Sequence, residues 1–495
     1  MTTSETQQHK MSKRAVIKEL FLFVFLLPAF FVLHRWNDVG SLASFSDCLP
    51  SLCILLAISL VVFLAARLIF RNTQKASLFS VATLSLFLFY PYNDLANAHV
   101  PVVERPLHSF LLLVFISLFL FMVLLRVKNH PLRLKKFLAI LLHVLISFEI
   151  ILVLLHKTGK PDNDPVPFLH KDEIFQLKTA KPSVYVILMD EYAGTEALQQ
   201  YASFDNQAFC SQLQKSGFSV MHHPKSNYRY TIYSIASMLN ADYNFYPATD
   251  NYITSLSRIT RNRVVSTFRE MGYDFVNISP FTIHGSERAY KYFFLPENAD
   301  LILRPTILDD IFEFIPFFIT RRLPDKTLFE KLVTQKTAFN RQVLNQLMDI
   351  SRKKTTPVFC YTHVMMPHGM YARDSSGKIN TSFLTNLNAG VKDKQEAYLQ
   401  YLIYTNKTIL PYVNQLKKNT GDSAIIMLIS DHGSRDIAAG KDKRISFSNF
   451  AAVYYPKGMN MSWYDGISNV NFFRVLFSDI SGKKVGLLKD SVIFQ

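Results

Sequence analysis

The residues of this 495-residue chain best able to do chemistry gather where apolar runs break into polar ones. Ala424 to Ile429 is nearly all apolar and rich in Ile, which suits a strand buried on both faces of a mainly parallel sheet. It breaks into Ser430, Asp431, His432 and Gly433. These four would stand just past the carboxyl end of the strand, where open α/β sheets place ligands. A carboxylate beside an imidazole on a Gly-terminated turn can grip one divalent cation. The plainer reading of so short a motif is a turn in which Asp bonds its own backbone.

Three further places offer reactive groups. The run Val184 to Met189 ends in Asp190-Glu191-Tyr192, and the run Val358 to His363 ends in His363, with His368 following in THVMMPHGMY. Between them SNYRYTIYSIASMLN (Ser226 to Asn240) sets Thr231 before a short helical segment. Taken singly, Asp190 and Thr231 read as helix caps and the histidines as partly buried polar residues. An acid, a hydroxyl, imidazoles and an Asp-His pair in this order, mostly after strands, make the pattern of an active site. His222, His223 and His284 are further imidazoles that the spacing does not place.

The elements that must position these groups are legible from periodicity. Val184–Met189, Tyr273–Ile278, Val358–His363, Ala424–Ser430 and Phe450–Tyr455 read as strands, and Asn206–Lys215 and Phe329–Met348 carry helical spacing. Residues 183–495 are therefore expected to form one α/β domain with helices covering a central, mostly parallel sheet. The segment Ile307–Arg322 is apolar and ends in basic residues; packing under the sheet is its plain reading, and a place on the bilayer surface the alternative. Residues 156–182, rich in Pro and charge and without an apolar period, read as a linker.

Composition puts the rest of the chain in lipid. Hydrophobic residues make up 49% of the sequence and 42 residues are Phe, well above a soluble norm. Apolar runs at Lys18–Leu33, Leu49–Phe70, Leu78–Tyr92, Leu107–Leu125 and Phe137–Leu155 are candidate spans. The third is short for a crossing of about 30 Å of hydrocarbon. Charge supports it all the same. Lys10, Lys13, Arg14 and Lys18 precede the first run, Arg71 and Lys75 follow the second, and Arg126, Lys128, Arg133, Lys135 and Lys136 lie between the fourth and fifth. The alternate loops, Arg35–Cys48 and Asn93–Pro106, are poor in Lys and Arg. Five crossings with a cytoplasmic N-terminus obey the positive-inside rule at every loop and send residues after Leu155 outside the cytoplasmic membrane. No small-residue cleavage site follows the first run, so it reads as a span and not a signal peptide. The net charge of +16 follows from this orientation and points away from nucleic acid, since the basic residues sit between apolar runs. His143 and Glu149, inside the fifth run, should face other helices or water. Four Cys without paired metal-ligand spacing indicate neither a zinc ribbon nor a dense disulfide framework; Cys210 and Cys360 could pair in an oxidising compartment, though Cys360 reads as a core strand residue.

With these residues in view the chain resembles the membrane-anchored, sulfatase-like branch of the alkaline phosphatase superfamily, which includes lipid A phosphoethanolamine transferases and lipoteichoic acid synthases. The most specific matches are LMDEYAG (Leu188–Gly194), SNYRYTIYSIASMLN and ISDHGSRD (Ile429–Asp436). The resemblance implies five transmembrane helices (1–155), a linker (156–182) and an extracytoplasmic, periplasmic-type catalytic domain (183–495). By it Thr231 is the nucleophile, and Asp190, Thr231, Asp431 and His432 hold a metal, zinc first and manganese second. His368 matches a histidine that handles substrate or a second metal, and His363 is a lesser candidate for the same task. The implied partners are a phospholipid donor and an envelope glycan or glycolipid acceptor. The implied reaction moves a headgroup phosphoryl unit, of phosphoethanolamine or phosphoglycerol type, through a covalent phospho-threonine.

Two other readings stay open. Hydrolytic sulfatases of the same superfamily use a Cys or Ser in a Cys/Ser-x-Pro-x-Arg pattern, whereas Thr231 is followed by Ile232, Tyr233, Ser234 and Ile235. A non-catalytic envelope glycolipid-binding protein would be expected to lack a ligand, and each is present. After Asp-His-Gly the lipid A transferases present another histidine; here Arg435, Lys441, Lys443 and Arg444 follow, cations that could hold phosphate or an acidic glycan, or could simply be solvated loop charges.

Overall fold

In the computed structural model the apolar runs of the N-terminal third become helices α1 (Leu26–Val39), α2 (Phe45–Phe70), α3 (Thr73–Phe89), α4 (Pro106–Arg126) and α5 (Leu132–Lys157). The structure describes residues 24–90, 106–127, 132–157, 165–169, 181–243, 252–286, 300–303, 306–307, 316–353, 357–386 and 389–494. The expected linker over 156–182, the basic residues before the first run and the loop 93–105 lie wholly or mostly outside them. Local signals start the helices. Ser44 and Asp47 exchange side-chain and backbone hydrogen bonds in a capping box before α2, and the Asn72 side chain accepts from the Gln74 and Lys75 N–H groups before α3.

Among the described residues three helical stretches are long and apolar enough to cross a membrane: Phe45–Phe70, His108–Arg126 and Lys136–Leu155. This is fewer than the five crossings expected. The 17 residues of α3 fall short of spanning length, and α1 is described over 14 residues, its expected start at Lys18 lying outside. Glu149 of α5 turns to α1, where His34 Nδ1 lies 2.8 Å from Oε1 and the Asn37 amide donates to Oε2 at 2.6 Å. His143 stays exposed and bonds the Ala139 carbonyl of its own helix at 2.6 Å.

Residues 1–162 and 291–318 form one compact unit, and residues 163–290 and 319–495 another. Part of the apolar segment after residue 300 thus packs on the N-terminal helices and not under the sheet. The turn Asp300–Leu303 lies against α1 and α2, and Ile307 packs on Leu113 with Leu86, Phe87, Tyr90 and Phe110 around it. Residues 308–315 of that segment lie outside the described residues.

The second unit is built on a six-stranded sheet of β1 (Val184–Met189), β2 (Ser219–Val220), β3 (Asp274–Ile278), β4 (Val358–Val364), β5 (Ile425–Ser430) and β6 (Ala451–Tyr454), in the order β2-β6-β5-β1-β4-β3. Strands β3, β4, β1 and β5 run parallel; β6 is antiparallel to β5, and β2 to β6. The strands alternate their side chains between two cores. Tyr185, Ile187 and Met189 face one built with α8 (Thr327–Lys353) and α9 (Val391–Asn419), and Val184, Val186 and Leu188 face the other, built with α6 (Thr231–Asn240), α7 (Arg263–Glu270) and α10 (Asn469–Ser481). On the second face Phe268 of α7 stacks on Phe359 of β4 with ring centroids 3.9 Å apart. Cys210 and Cys360 are buried, unbridged thiols.

Register fixes where chemistry emerges. Met189 is level with Ser430 on one side and Val364 on the other, so Asp190 and Asp431 leave neighbouring parallel strands together, with His363 one residue short of the end of β4.

Candidate active site

Asp190 and Asp431 are carried to one point by the central strands, and α6 brings Thr231 to the same place. Donor atoms of Asp190, Asp431 and His432 lie within 4.8 Å of one another, all on buried residues. The Thr231 hydroxyl donates to Asp190 Oδ1 at 3.4 Å and lies 3.2 Å from His432 Nε2. Thr231 is the first residue of α6, and the Tyr230 side chain makes no cap bond to the first-turn N–H groups. His432 Nδ1 lies 2.8 Å from the Gly433 carbonyl. A carbonyl only accepts, so Nδ1 carries a proton, and in the neutral ring the Nε2 lone pair faces Thr231.

Electrostatics favour a positive charge at the cluster. Burial opposes charge on both acids. At Asp190 the neighbouring His368, His363 and His432 overcome it and hold the carboxyl below the usual carboxylate range. At Asp431 burial and the Asp190 charge push the carboxyl up. Asp431 Oδ1 accepts from the Glu191 N–H at 3.0 Å and the His432 N–H at 2.8 Å, while Oδ2 has no hydrogen-bond donor among the described residues. Two buried carboxylates, an oxygen without a donor and an imidazole nitrogen form an oxygen and nitrogen donor set that fits a divalent cation.

The turn carrying Asp431 and His432 is held from behind. Ser234 Oγ and Asn469 Nδ2 both donate to the Asp431 carbonyl at 2.6 Å, tying α6, α10 and the end of β5 together. A Cβ on Gly433 would come within 2.0 Å of the Ser448 carbonyl, so glycine here answers a close approach of two backbones.

The two lesser candidates separate. His363 is fully buried, with Nε2 3.2 Å from Asp190 Oδ2 and Nδ1 unpartnered among the described residues. His368 follows a cis Met366–Pro367 bond, and its N–H donates to the Asp190 carbonyl at 3.1 Å. Its ring reaches Arg435, with Nε2 3.2 Å from Nη2. Glu191, which sequence reasoning passed over, anchors that side: its carboxylate takes the Arg435 N–H at 2.7 Å and Nη2 at 3.2 Å. Its backbone is held at φ 60°, a left-handed value that its N–H bond to Asp431 and the Tyr398 hydroxyl bond to its carbonyl keep in place. Adjacency to Asp190 was its one signal. His222, His223 and His284 lie elsewhere in the bonding pattern: the His222 N–H donates to Asp465, His223 pairs with Glu196, and His284 bonds the backbone of Asn262.

No curated protein matches the chain. Among solved structures, the zinc complex of the C-terminal periplasmic domain of EcEptC from Escherichia coli is 11% identical, with a TM-score of 0.40 over 61% of this chain and 83% of that one. The integral membrane lipooligosaccharide phosphoethanolamine transferase A (EptA) from Neisseria meningitidis is 11% identical, with a TM-score of 0.43 over 97% and 96%. The C-terminal periplasmic domain of the phosphoethanolamine transferase EptC from Campylobacter jejuni is 12% identical, with a TM-score of 0.37 over 63% and 96%. A family model described as Sulfatase matches residues 182–482, from the residues just before β1 to the end of α10 and across the whole cluster just described. With more than half its length under that match, the chain belongs to the sulfatase family.

Proposed function

We propose that the protein is a metal-dependent transferase that moves a phospholipid headgroup phosphoryl unit, through a phosphorylated Thr231, to an envelope glycan or glycolipid. The observation that carries this reading is the Thr231 hydroxyl at the start of α6, within 3.4 Å of Asp190 Oδ1 and 3.2 Å of His432 Nε2.

A divalent cation held by Asp190, Asp431, His432 and the Thr231 hydroxyl would lower the proton affinity of that hydroxyl and offset charge on phosphoryl oxygens. The chain itself does the rest. Ser234, Asn469 and the Glu191 N–H fix the Asp431 turn, and Gly433 O fixes the His432 ring. In the first step Thr231 Oγ bonds to phosphorus as the bond from phosphorus to the glycerol oxygen breaks, and the threonine proton ends on the released diacylglycerol. In the second an acceptor hydroxyl takes the phosphoryl unit, and its proton returns to Thr231. Phosphoryl oxygens would lie at the first-turn N–H groups of α6, where the helix dipole favours negative charge. The apolar helices before β1 keep the domain at a membrane, and their charge bias supports five crossings with residues 183–495 in the periplasm or its equivalent.

The test uses the full-length protein in detergent with zinc and defined phospholipids. Release of diacylglycerol from one headgroup class is expected, with the headgroup phosphoryl recovered on Thr231 by mass spectrometry. Thr231→Ala should reduce release by at least about 10³-fold, the scale of losing a covalent nucleophile. Turnover retained in that variant would remove the covalent step, and failure of every phospholipid to release diacylglycerol would favour a glycolipid-binding role.

A further inference from the structure

Two places in the site are shaped for positive charge, and they differ in what fills them. At the first, formed by Asp190, Asp431 and His432, one carboxylate oxygen lacks a donor among the described residues. At the second, formed by Glu191 and His368, a guanidinium supplies the charge. Arg435 gives its backbone N–H to Glu191 Oε1 at 2.7 Å, its Nε–H to the same oxygen at 3.4 Å, and Nη2–H bonds to Oε2 and to His368 Nε2, each at 3.2 Å. Both Glu191 oxygens and the outward ring nitrogen of His368 are thereby used. A second ion would have to displace a paired, partly buried arginine.

The same bonds leave donors over. Of the five guanidinium N–H groups, Nε and Nη2 account for three, and Nη1 has no acceptor among the described residues. The Arg435 side chain is 35% exposed and that of His368 31%. The guanidinium carbon lies 5.4 Å from the ring centroid of Tyr230, so Arg435 stands beside the residue that precedes Thr231. Of the other cations of the following loop, Lys441 bonds the Tyr201 carbonyl and Arg444 pairs with Asp442. The two free N–H bonds of Nη1 diverge from one nitrogen and can each donate to a phosphate oxygen, on a group that stays charged.

We infer that the centre takes one divalent ion, and that Arg435, seated by Glu191 and His368, occupies the second cationic position and binds the non-bridging oxygens of a phosphate ester. The inference rests on the transfer reading above and deepens it. Arg435 is the group that touches substrate; Glu191 is a positioning residue that aims it.

Full-length protein in detergent, saturated with zinc and freed of excess, is analysed for zinc per chain and for inorganic phosphate affinity by calorimetry. One zinc per chain is expected. Arg435→Met should keep that zinc and lose at least about tenfold in phosphate affinity, the scale of a charge-assisted hydrogen-bonded pair. Arg435→Lys should fall between, and Glu191→Gln should weaken phosphate binding with zinc content unchanged, the retained zinc marking each variant as folded at the site. Two zinc ions per wild-type chain, no phosphate binding by the zinc-loaded wild type, or Arg435→Met holding phosphate within twofold of wild type would each overturn the inference. Arginine-dependent phosphate binding without diacylglycerol release from any phospholipid would sustain this inference and sink the transfer reading, so the two fail separately.

Discussion

At the scale of single residues, Asp431 is proposed as a metal ligand, and its charge is also a liability. Its carboxylate lies buried beside Asp190, and burial together with that neighbour pushes its pKa up. Asp431→Asn keeps an oxygen that can accept from the Glu191 and His432 N–H groups and removes the repulsion. Zinc-free Asp431→Asn protein should therefore melt at or above the temperature of zinc-free wild type, while the zinc-induced rise is lost. For wild type at zinc a hundredfold above its dissociation constant that rise corresponds to about 2.7 kcal/mol. Differential scanning fluorimetry with and without a chelator reads both, and an undiminished zinc shift in the variant would remove Asp431 from the ligand set. Gly433 makes a second residue-scale case. The sequence marks it as the end of a tight turn, yet its need is for room: a methyl there meets the Ser448 carbonyl at 2.0 Å and the Ser446 carbonyl at 3.2 Å. Gly433→Ala must move backbone, so it should cost roughly 1–3 kcal/mol in a chemical denaturation series and weaken zinc binding as the His432 turn shifts. Such a contact links residues 433 and 448 across a loop, and no local pattern announces it. The Asp-His pair, by contrast, was legible because an all-apolar run stops abruptly at it.

At the scale of elements, strands buried on both faces were the readable part. β1 and β5 are short runs mostly of Val, Ile, Leu and Met, β4 mixes Val and Phe with Cys, Tyr, Thr and His, every residue of the three is buried, and the sequence locates each to within about a residue. β2 has two residues and no apolar run to betray it. The 29-residue α9 was passed over as well, since it is polar on average, rich in Tyr and carries Pro411 in its interior. Its apolar stripe is made of Tyr398, Tyr401, Leu402, Ile409 and Val413, aromatic where a helix pattern is usually aliphatic. What holds the elements to the site was hidden for another reason. Asn469, at the start of α10, gives its amide to the Asp431 carbonyl at 2.6 Å and Ser234 Oγ at 3.1 Å, and takes the Asn449 amide at 2.7 Å. Nothing in the composition of α10 signals a buried polar junction of three elements. Asn469→Leu leaves several buried partners unsatisfied, so it should cost about 2–4 kcal/mol, counting about 1–3 kcal/mol for each group left unmade and partial relaxation around it. Thermal melts of the zinc-loaded protein check the stability loss, and a shift of under a degree would mean the junction bears no strain.

At the scale of the whole molecule, hydropathy reveals the apolar helices but not how the later chain divides between the two units. Residues 291–318 interrupt the stretch that reads as one α/β domain, and they belong with the N-terminal helices. Leu301, Ile302, Leu303 and Ile307 are each at most 3% exposed there. A sequence window sees four apolar residues and assigns them to the nearest core, which in chain order is the sheet. The consequence bears on any attempt to isolate the catalytic unit. A fragment of residues 163–495 keeps both faces of the sheet and the Thr231 cluster, but strips the N-terminal cover from these four side chains. At about 1.5–3 kcal/mol for each aliphatic side chain returned to water, the exposed segment carries a driving force of roughly 6–12 kcal/mol towards micelles or a second copy. Such a fragment should elute from size-exclusion columns as an oligomer without detergent and bind micelles when detergent is present. Replacing 291–318 by a Gly/Ser linker of equal length removes the apolar side chains and leaves every site residue in place, so that version should run as a monomer and retain zinc. A 163–495 fragment that is monomeric and micelle-free without the replacement would show that the segment finds cover elsewhere, and its partner would then have to be sought within the catalytic unit itself.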